Sequence, residues 1–246
     1  MKNHLLGIVL LVACCITSVS SQALKKAAIY GILLDNTGSM RQQLSREIDV
    51  AKEIVKNVSD RASISIFQFQ SNVNNHTSVF TNGIEASDDP KVLEKHLDQI
   101  VTVSGQTTLL DAIKLSAERL GNSVNSEKVL IIISDGEDRV SSTKVEDLIS
   151  ELKRIGIKVY AVGLIDELSN DSSWPFDKSA KIYDASTGKE VDKSIFTNDK
   201  NSKKKAKDFL EKIAKETGGK VIFPKKKQTA AELGKLLFES SVVKQK

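Results

Sequence analysis

The chain has 246 residues, room for one α/β domain or at most two small ones. A chain of that length buries roughly 70% of its unfolded surface, so it needs no disulfide or metal merely to hold a core. Its formal charge of +4 comes mainly from lysine. The densest runs, Lys203-Lys204-Lys205 and Lys225-Lys226-Lys227, have no interleaved aromatic residues. They are expected to be solvated faces, and nucleic acid is not expected as a partner.

The N-terminus begins with Lys2, continues as the apolar run Leu5 to Ala13, and ends in Ser20-Ser21-Gln22-Ala23. That pattern describes a secretory signal peptide over residues 1–23, too short and too poorly flanked for a transmembrane anchor. Cleavage after Ala23 would leave a domain at 24–246 with no cysteine, because both cysteines, Cys14 and Cys15, precede it. Leu11-Val12-Ala13-Cys14 also resembles a lipobox, in which case 1–13 is removed and Cys14 carries lipid. The apolar run before Cys14 is short for that route, which favours cleavage after Ala23. Either route exports the chain, as a periplasmic or secreted protein or as an envelope lipoprotein.

From residue 27 onward strand and helix patterns alternate, the signature of an open, mostly parallel sheet with helices on both faces. Ala27 to Leu34 is predicted to be a buried strand. It breaks abruptly into Asp35-Asn36-Thr37-Gly38-Ser39, where alternate positions carry an acid and two hydroxyls. A tight turn there, with Gly38 expected to let it close, would aim three oxygens at one point. Oxygen donors suit a hard cation such as Mg²⁺, with Mn²⁺ or Ca²⁺ as alternatives, but not Zn²⁺. The same residue types also make an ordinary helix cap, and this motif alone leaves both open.

A helix follows with Leu44, Ile48, Ala51, Val55 and Val58 inward, then an alternating strand from Ala62 to Gln70 with one wetter side. Thr77 to Thr81 is read as an antiparallel edge strand. Asp89 caps a helix starting at Pro90, with Val92, Leu93, Leu97 and Ile100 inward. His96 on that helix is read as a surface or boundary residue. Gly105-Gln106-Thr107 leads into a helix bearing Leu110, Ile113, Ala117 and Leu120, and Lys128 to Ser134 is the central strand, ending at Asp135-Gly136. Thr143-x-x-Glu146 reads as a capping box, Lys158 to Leu164 as a strand, and Lys207 to Glu216 as a helix stopped by Gly218-Gly219. Val221 to Phe223 is a last short strand, and Thr229-x-x-Glu232 caps a final helix burying Leu233, Leu236 and Leu237. Residues 166–202 break the rhythm as a polar insertion holding Trp174, with a hairpin expected around Asp184 to Gly188.

With Asp35, Thr37 and Ser39 in D-x-T-x-S spacing, Thr107 in a later loop and Asp135 after a buried strand, the chain resembles the von Willebrand factor A family. Thr37 stands where serine is more usual, and the hydroxyl oxygen is retained. The resemblance covers almost everything after residue 26. It implies a Rossmann-like fold, and a metal-ion-dependent adhesion site built from Asp35, Thr37, Ser39, Thr107 and Asp135. It also implies a protein partner that supplies an Asp or Glu to the metal, in adhesion or envelope complex assembly, with no catalytic residue. Glu137, Asp138 and Asp111 lie near these loops and are assigned to solvation or helix capping. The competing class is a haloacid-dehalogenase-like phosphohydrolase dependent on Mg²⁺. That chemistry needs an acid two residues after the strand-end aspartate, and position 37 is threonine, which cannot transfer that proton near neutral pH.

Overall fold

The computed structural model describes residues 28–71, 78–80, 83–102, 107–124, 127–165, 182–183, 190–191 and 200–239. The expected signal peptide, most of the 166–202 insertion and Trp174 lie outside the described residues.

Strand β1 (Ala28–Asp35) is buried along its whole length. It pairs in parallel with β2 (Ala62–Ser71) on one side and β5 (Glu127–Ser134) on the other. Strand β6 (Ile157–Gly163) continues the parallel set beside β5, and the short β9 (Val221–Ile222) ends it. Two antiparallel strands, β3 (Ser78–Phe80) and β4 (Ile84–Ser87), pair with β2, giving the order β3-β2-β1-β5-β6-β9 with β4 off the same strand. The sheet is therefore open and mostly parallel, as expected. β3 is the anticipated edge strand. β4 had no strand signal because Ile84-Glu85-Ala86-Ser87 is short and largely exposed. The chain steps from β1 to β2 on one side and later to β5 on the other. The order thus reverses between β1 and β5, where open α/β sheets place their ligands.

Period-two alternation splits the core into two layers. Tyr30, Ile32 and Leu34 of β1 join Ile64, Ile66, Ile131 and Ile133 against α1 (Leu44–Val58), α2 (Pro90–Leu97) and α6 (Ala230–Glu239). Ile29 and Leu33 join Phe67, Phe69, Leu130 and Ile132 against α3 (Leu109–Gly121), α4 (Val145–Ile155) and α5 (Lys200–Glu216). Each fully buried Leu, Ile or Phe contributes about 1.5–3 kcal/mol of burial. Gly31 interrupts the second layer for a reason: a Cβ there would lie 2.8 Å from Phe67 and 2.9 Å from Leu120. The side chains facing it already fill the space.

Several expectations are corrected. From Ile64 to Phe69 β2 has no wet side, since Ser65, Phe67, Gln68 and Phe69 are all buried, with α3 packed over the phenylalanine face. Val92 is 47% exposed, because the eight-residue α2 holds its inward stripe with Leu93 and Leu97. Helix α5 begins at Lys200, seven residues earlier than its apolar periodicity suggests, and Lys204 and Lys205 in its first turns are exposed. The Thr143 capping box does not form. Lys144 is the N-cap, Asp111 takes the Thr143 amide at 2.9 Å, and Glu146 pairs with Lys212. The Thr229 box does form, with Thr229 N–H donating to Glu232 at 2.8 Å and Glu232 N–H to the Thr229 hydroxyl at 3.2 Å. Asp89 caps α2 by accepting the Lys91 amide, with Pro90 at the first helical position. The short strands β7 (Ile182–Tyr183) and β8 (Glu190–Val191) pair antiparallel and flank the expected hairpin turn. Among the described residues no helix is long and apolar enough to cross a membrane.

Candidate metal site at the carboxyl edge of the sheet

The last β1–β5 pair is Leu34↔Ile133; Asp35 follows it on β1, and Asp135 follows Ser134 at the end of β5. Asp35 is fully buried, and the turn behind it is a short 3-10 helix (Gly38–Gln42) entered through extended Thr37. Thr37 folds back on Asp35 as an Asx turn, its N–H donating to Asp35 Oδ1 at 3.2 Å and its hydroxyl to the same oxygen at 2.7 Å. The Ser39 hydroxyl lies 3.1 Å from that of Thr37. Thr107, just before α3, donates its hydroxyl to Thr37 Oγ1 at 3.3 Å. Its carbonyl accepts the amides of Arg139 and Val140, which ties the Thr107 loop to the loop after β5. Asp135 opens that loop, and its carboxylate accepts the Glu137 amide at 2.9 Å, with Ser39 near enough to favour its charged form. Asp35, Thr37, Ser39 and Thr107 are thus joined by hydrogen bonds, and Asp135, from a third segment, lies beside them within the electrostatic reach of Asp35 and Ser39.

Ser134 and Glu47 bind directly to Asp35, and Asn36 lies beside it; none of the three belongs to the motif. Ser134, fully buried, donates its hydroxyl to Asp35 Oδ2 at 2.7 Å and accepts the Gly136 amide at 2.9 Å. Glu47 of α1, also fully buried, accepts the Asp35 amide at 2.7 Å. Asn36 donates from Nδ2 to the Val101 carbonyl and lies 3.4 Å from Gln68 Oε1. Gln68 in turn meets the half-buried His96, 3.1 Å away, which bears out the boundary role expected of that histidine. A sequence signal for Glu47 did exist. It stands three residues after Leu44 and four before Ala51, a carboxylate on an apolar helical stripe.

Glycine matters here at one position, and it is not Gly38. Gly38 lies outside the left-handed region, is exposed, and a Cβ there would meet nothing within 4 Å. The 3-10 turn closes without needing a glycine. Gly136 has φ of 76°, and a Cβ there would lie 3.0 Å from Leu210 and 3.1 Å from Ala206. Gly38→Ala should change stability by less than about 0.5 kcal/mol, whereas Gly136→Ala should cost about 1–3 kcal/mol. Urea unfolding of the two variants checks this. Equal destabilisation would contradict it.

The acids nearby have structural duties. Asp138 accepts the Leu110 amide at the start of α3, and Asp111 accepts the Ser142 and Thr143 amides ahead of α4. Glu137 pairs with Arg139. All three fit the solvation and capping roles expected of them.

Electrostatically the cluster is one-sided. Asp35, Asp135 and Glu47 are buried together, and no Lys, Arg or His among the described residues forms an ion pair with any of them. Burial raises the pKa of Asp35, against the hydrogen bonds from Thr37 and Ser134. Burial and the charge of Asp35 push Asp135 up to about 7. Glu47 is raised well above its ordinary value by burial, then by Asp35 and Asp135. Asp135 Oδ2 and Glu47 Oε2 have no hydrogen-bond partner. Buried carboxylates left like this are costly unless a cation joins them. Among the described residues no three His, Cys, Asp or Glu side chains are gathered as a ligand set. The donors at the centre are two acids and three hydroxyls, all oxygen, which fits a hard divalent ion that retains water and does not fit Zn²⁺.

The profile of the von Willebrand factor type A domain matches residues 31–232, and the chain belongs to that family of protein-interaction domains. A comparison with curated protein sequences finds no match. Among similar solved structures is an aerotolerance-related membrane protein from Bacteroides fragilis, at 18% identity and a TM-score of 0.57 over 86% of this chain and 97% of that one. A conserved hypothetical protein, BatB, from Bacteroides thetaiotaomicron shares 16% identity with a TM-score of 0.57, over 88% and 98% of the two chains. The pilus adhesin SpaC from Lactobacillus rhamnosus GG shares 11% identity with a TM-score of 0.56, over 90% of this chain and 30% of its own. At these identities the likeness is one of fold.

Proposed function

We propose that the chain is an exported interaction domain that binds a protein partner through one divalent cation, Mg²⁺ or in its place Mn²⁺ or Ca²⁺. The cation is held through Asp35, Thr37, Ser39, Thr107 and Asp135. The observation that carries this is the buried, unpaired negative charge of Asp35 and Asp135, ringed by three hydroxyls at the switch point of the sheet. Thr37 and Ser134 fix both oxygens of Asp35, while Asp135 keeps Oδ2 uncommitted. Ser39, half-buried beside exposed Gly38, stands at the mouth. When bound, a cation with mostly neutral donors stays electron-poor and favours a carboxylate from outside, the Asp or Glu of a partner. The hydroxyl of Thr37, at the position where a phosphohydrolase would carry its proton donor, is committed to Asp35.

Capture from an envelope extract, with Mg²⁺ and with chelator, tests the function. A partner retained only with Mg²⁺, and lost with Asp135→Asn, is expected; retention unaffected by both treatments would contradict the reading. Turnover of an aryl phosphate that disappears in Asp35→Ala would favour the phosphohydrolase instead. Mass spectrometry of protein from its native host should show Leu24 as the first residue. An acylated Cys14 would establish the lipoprotein route.

The 166–202 insertion follows β6, whose Gly163 is level with Ser134 at the same edge as the site. Trp174-Pro175-Phe176 is its one apolar run in sequence, of a kind suited to anchoring a partner. Trp174→Ala should weaken partner binding while leaving melting temperature and Mg²⁺ affinity unchanged. A fall in melting temperature with partner binding intact would assign Trp174 to packing.

A further inference from the structure

Every buried side-chain polar atom without a partner among the described residues belongs to one neighbourhood. The atoms are Asn36 Oδ1, both amide atoms of Gln43, Glu47 Oε2 and Asp135 Oδ2. Asn36 follows Asp35 in the turn after β1, Gln43 and Glu47 lie one helical turn apart at the start of α1, and Asp135 follows β5. Buried polar atoms are nearly always paired, so a concentration of exceptions marks a place that awaits a ligand. Three of the five belong to Gln43, which caps α1, and Glu47 in its first turn.

Glu47 is the key to that group. Pairing of β1 with β5 ends at Leu34↔Ile133, and Glu47 Oε1 takes up the next amide, that of Asp35, at 2.7 Å. The side chain is fully buried, and both Asp35 and Asp135 act on it electrostatically. An apolar residue would cost less at this buried position of α1, whose inward stripe otherwise carries Val50, Ala51, Ile54 and Val55. An uncompensated acid there has to serve something other than packing.

We infer that Glu47 is a positioning residue for the cation, anchoring the Asp35 backbone and adding a third negative charge beneath the site. This rests on the metal reading above and extends it from five residues to a layer behind them. The anchor holds the end of β1 so that Asp35 and Thr37 keep their aim before any ion arrives. The charge draws the cation inward without Glu47 touching it, consistent with the lack of a three-acid ligand set among the described residues.

The two roles separate by substitution. Glu47→Gln keeps an oxygen for the Asp35 amide and removes the charge; Glu47→Ala removes both. Mn²⁺ affinity measured by electron paramagnetic resonance should fall about tenfold in Glu47→Gln. The melting temperature of that variant in chelator should equal or exceed that of wild type, because a buried acid beside Asp35 and Asp135 is replaced by a neutral amide. Glu47→Ala should bind Mn²⁺ more weakly still. Wild-type affinity in Glu47→Gln would overturn the inference. So would a loss of affinity matched by an equal fall in melting temperature in chelator, which would make Glu47 part of the packing alone. Glu47→Gln is nearly isosteric, so the comparison stands even where Glu47→Ala fails to fold. Wild-type protein that binds no Mn²⁺ would remove the metal reading itself and this inference with it. Normal wild-type binding with an unaffected Glu47→Gln would remove only the inference.

Discussion

Replacing Asp135 with Asn is expected to abolish cation binding while making the chelated protein more stable. Asp135 is buried, its Oδ2 has no partner, and Asp35 repels it. With no cation present, that charge is a liability. The amide removes it and keeps an oxygen for the Glu137 N–H, so the relief should be about 1–2 kcal/mol. For a domain of this size that is roughly 3–6 °C in melting temperature. Cation affinity should drop by more than about a hundredfold, since a charged donor is lost from a site otherwise rich in neutral hydroxyls. Asp35→Ala should lose binding equally but gain no stability. It strips an acceptor from the Thr37 amide, the Thr37 hydroxyl and the Ser134 hydroxyl at once. Calorimetry and thermal melts in chelator check both variants. Wild-type affinity in Asp135→Asn, or a lower melting temperature in chelator, would contradict this account of the site.

The second large effect is a pH-dependent stabilisation by Mg²⁺. Asp35, Asp135 and Glu47 all have folded pKa values raised above their unfolded ones, and burial is the main cause for each. Between the unfolded value near about 4 and the folded value, the native state holds protons that the unfolded chain has released. Without metal, stability is therefore greatest below that window and falls as pH rises through it, which for Asp135 ends at about 7. A cation needs the deprotonated acids, so its contribution grows over the same window. At Mg²⁺ about 100 times its Kd, the stabilisation at pH 8 should be about 2.7 kcal/mol, or some 5 °C or more. It should shrink to about 1 °C at pH 5, where protons compete for the same oxygens. A Mg²⁺ effect constant from pH 5 to pH 8 would show that these acids do not face the ion.

The features legible in the sequence were those set by local chemistry. The D-x-T-x-S turn and the acid after the β5 strand declare themselves because a buried run ends in polar residues at a strand terminus. The geometry brings Asp35, Thr37, Ser39, Thr107 and Asp135 together. What stayed hidden depends on packing between distant elements. Ser134 looks like any strand-end serine until β1 and β5 are neighbours, and Glu47, though it falls on the apolar stripe of α1, shows no purpose there until α1 is laid over the end of β1. The two capping boxes make the same point. Thr229 and Glu232 close on each other, whereas Thr143 and Glu146 are claimed by Asp111 and Lys212, residues that no local pattern brings to them. Gly38 drew a steric role from its motif that its negative φ and open surroundings do not require.

The central claim, that five residues from three segments hold one cation, is tested most directly by crystals grown with Mn²⁺ and measured at the manganese absorption edge. A single anomalous peak is expected among Asp35, Thr37, Ser39, Thr107 and Asp135, lost in crystals of Asp135→Asn. No peak there, or an undiminished one in that variant, would contradict it.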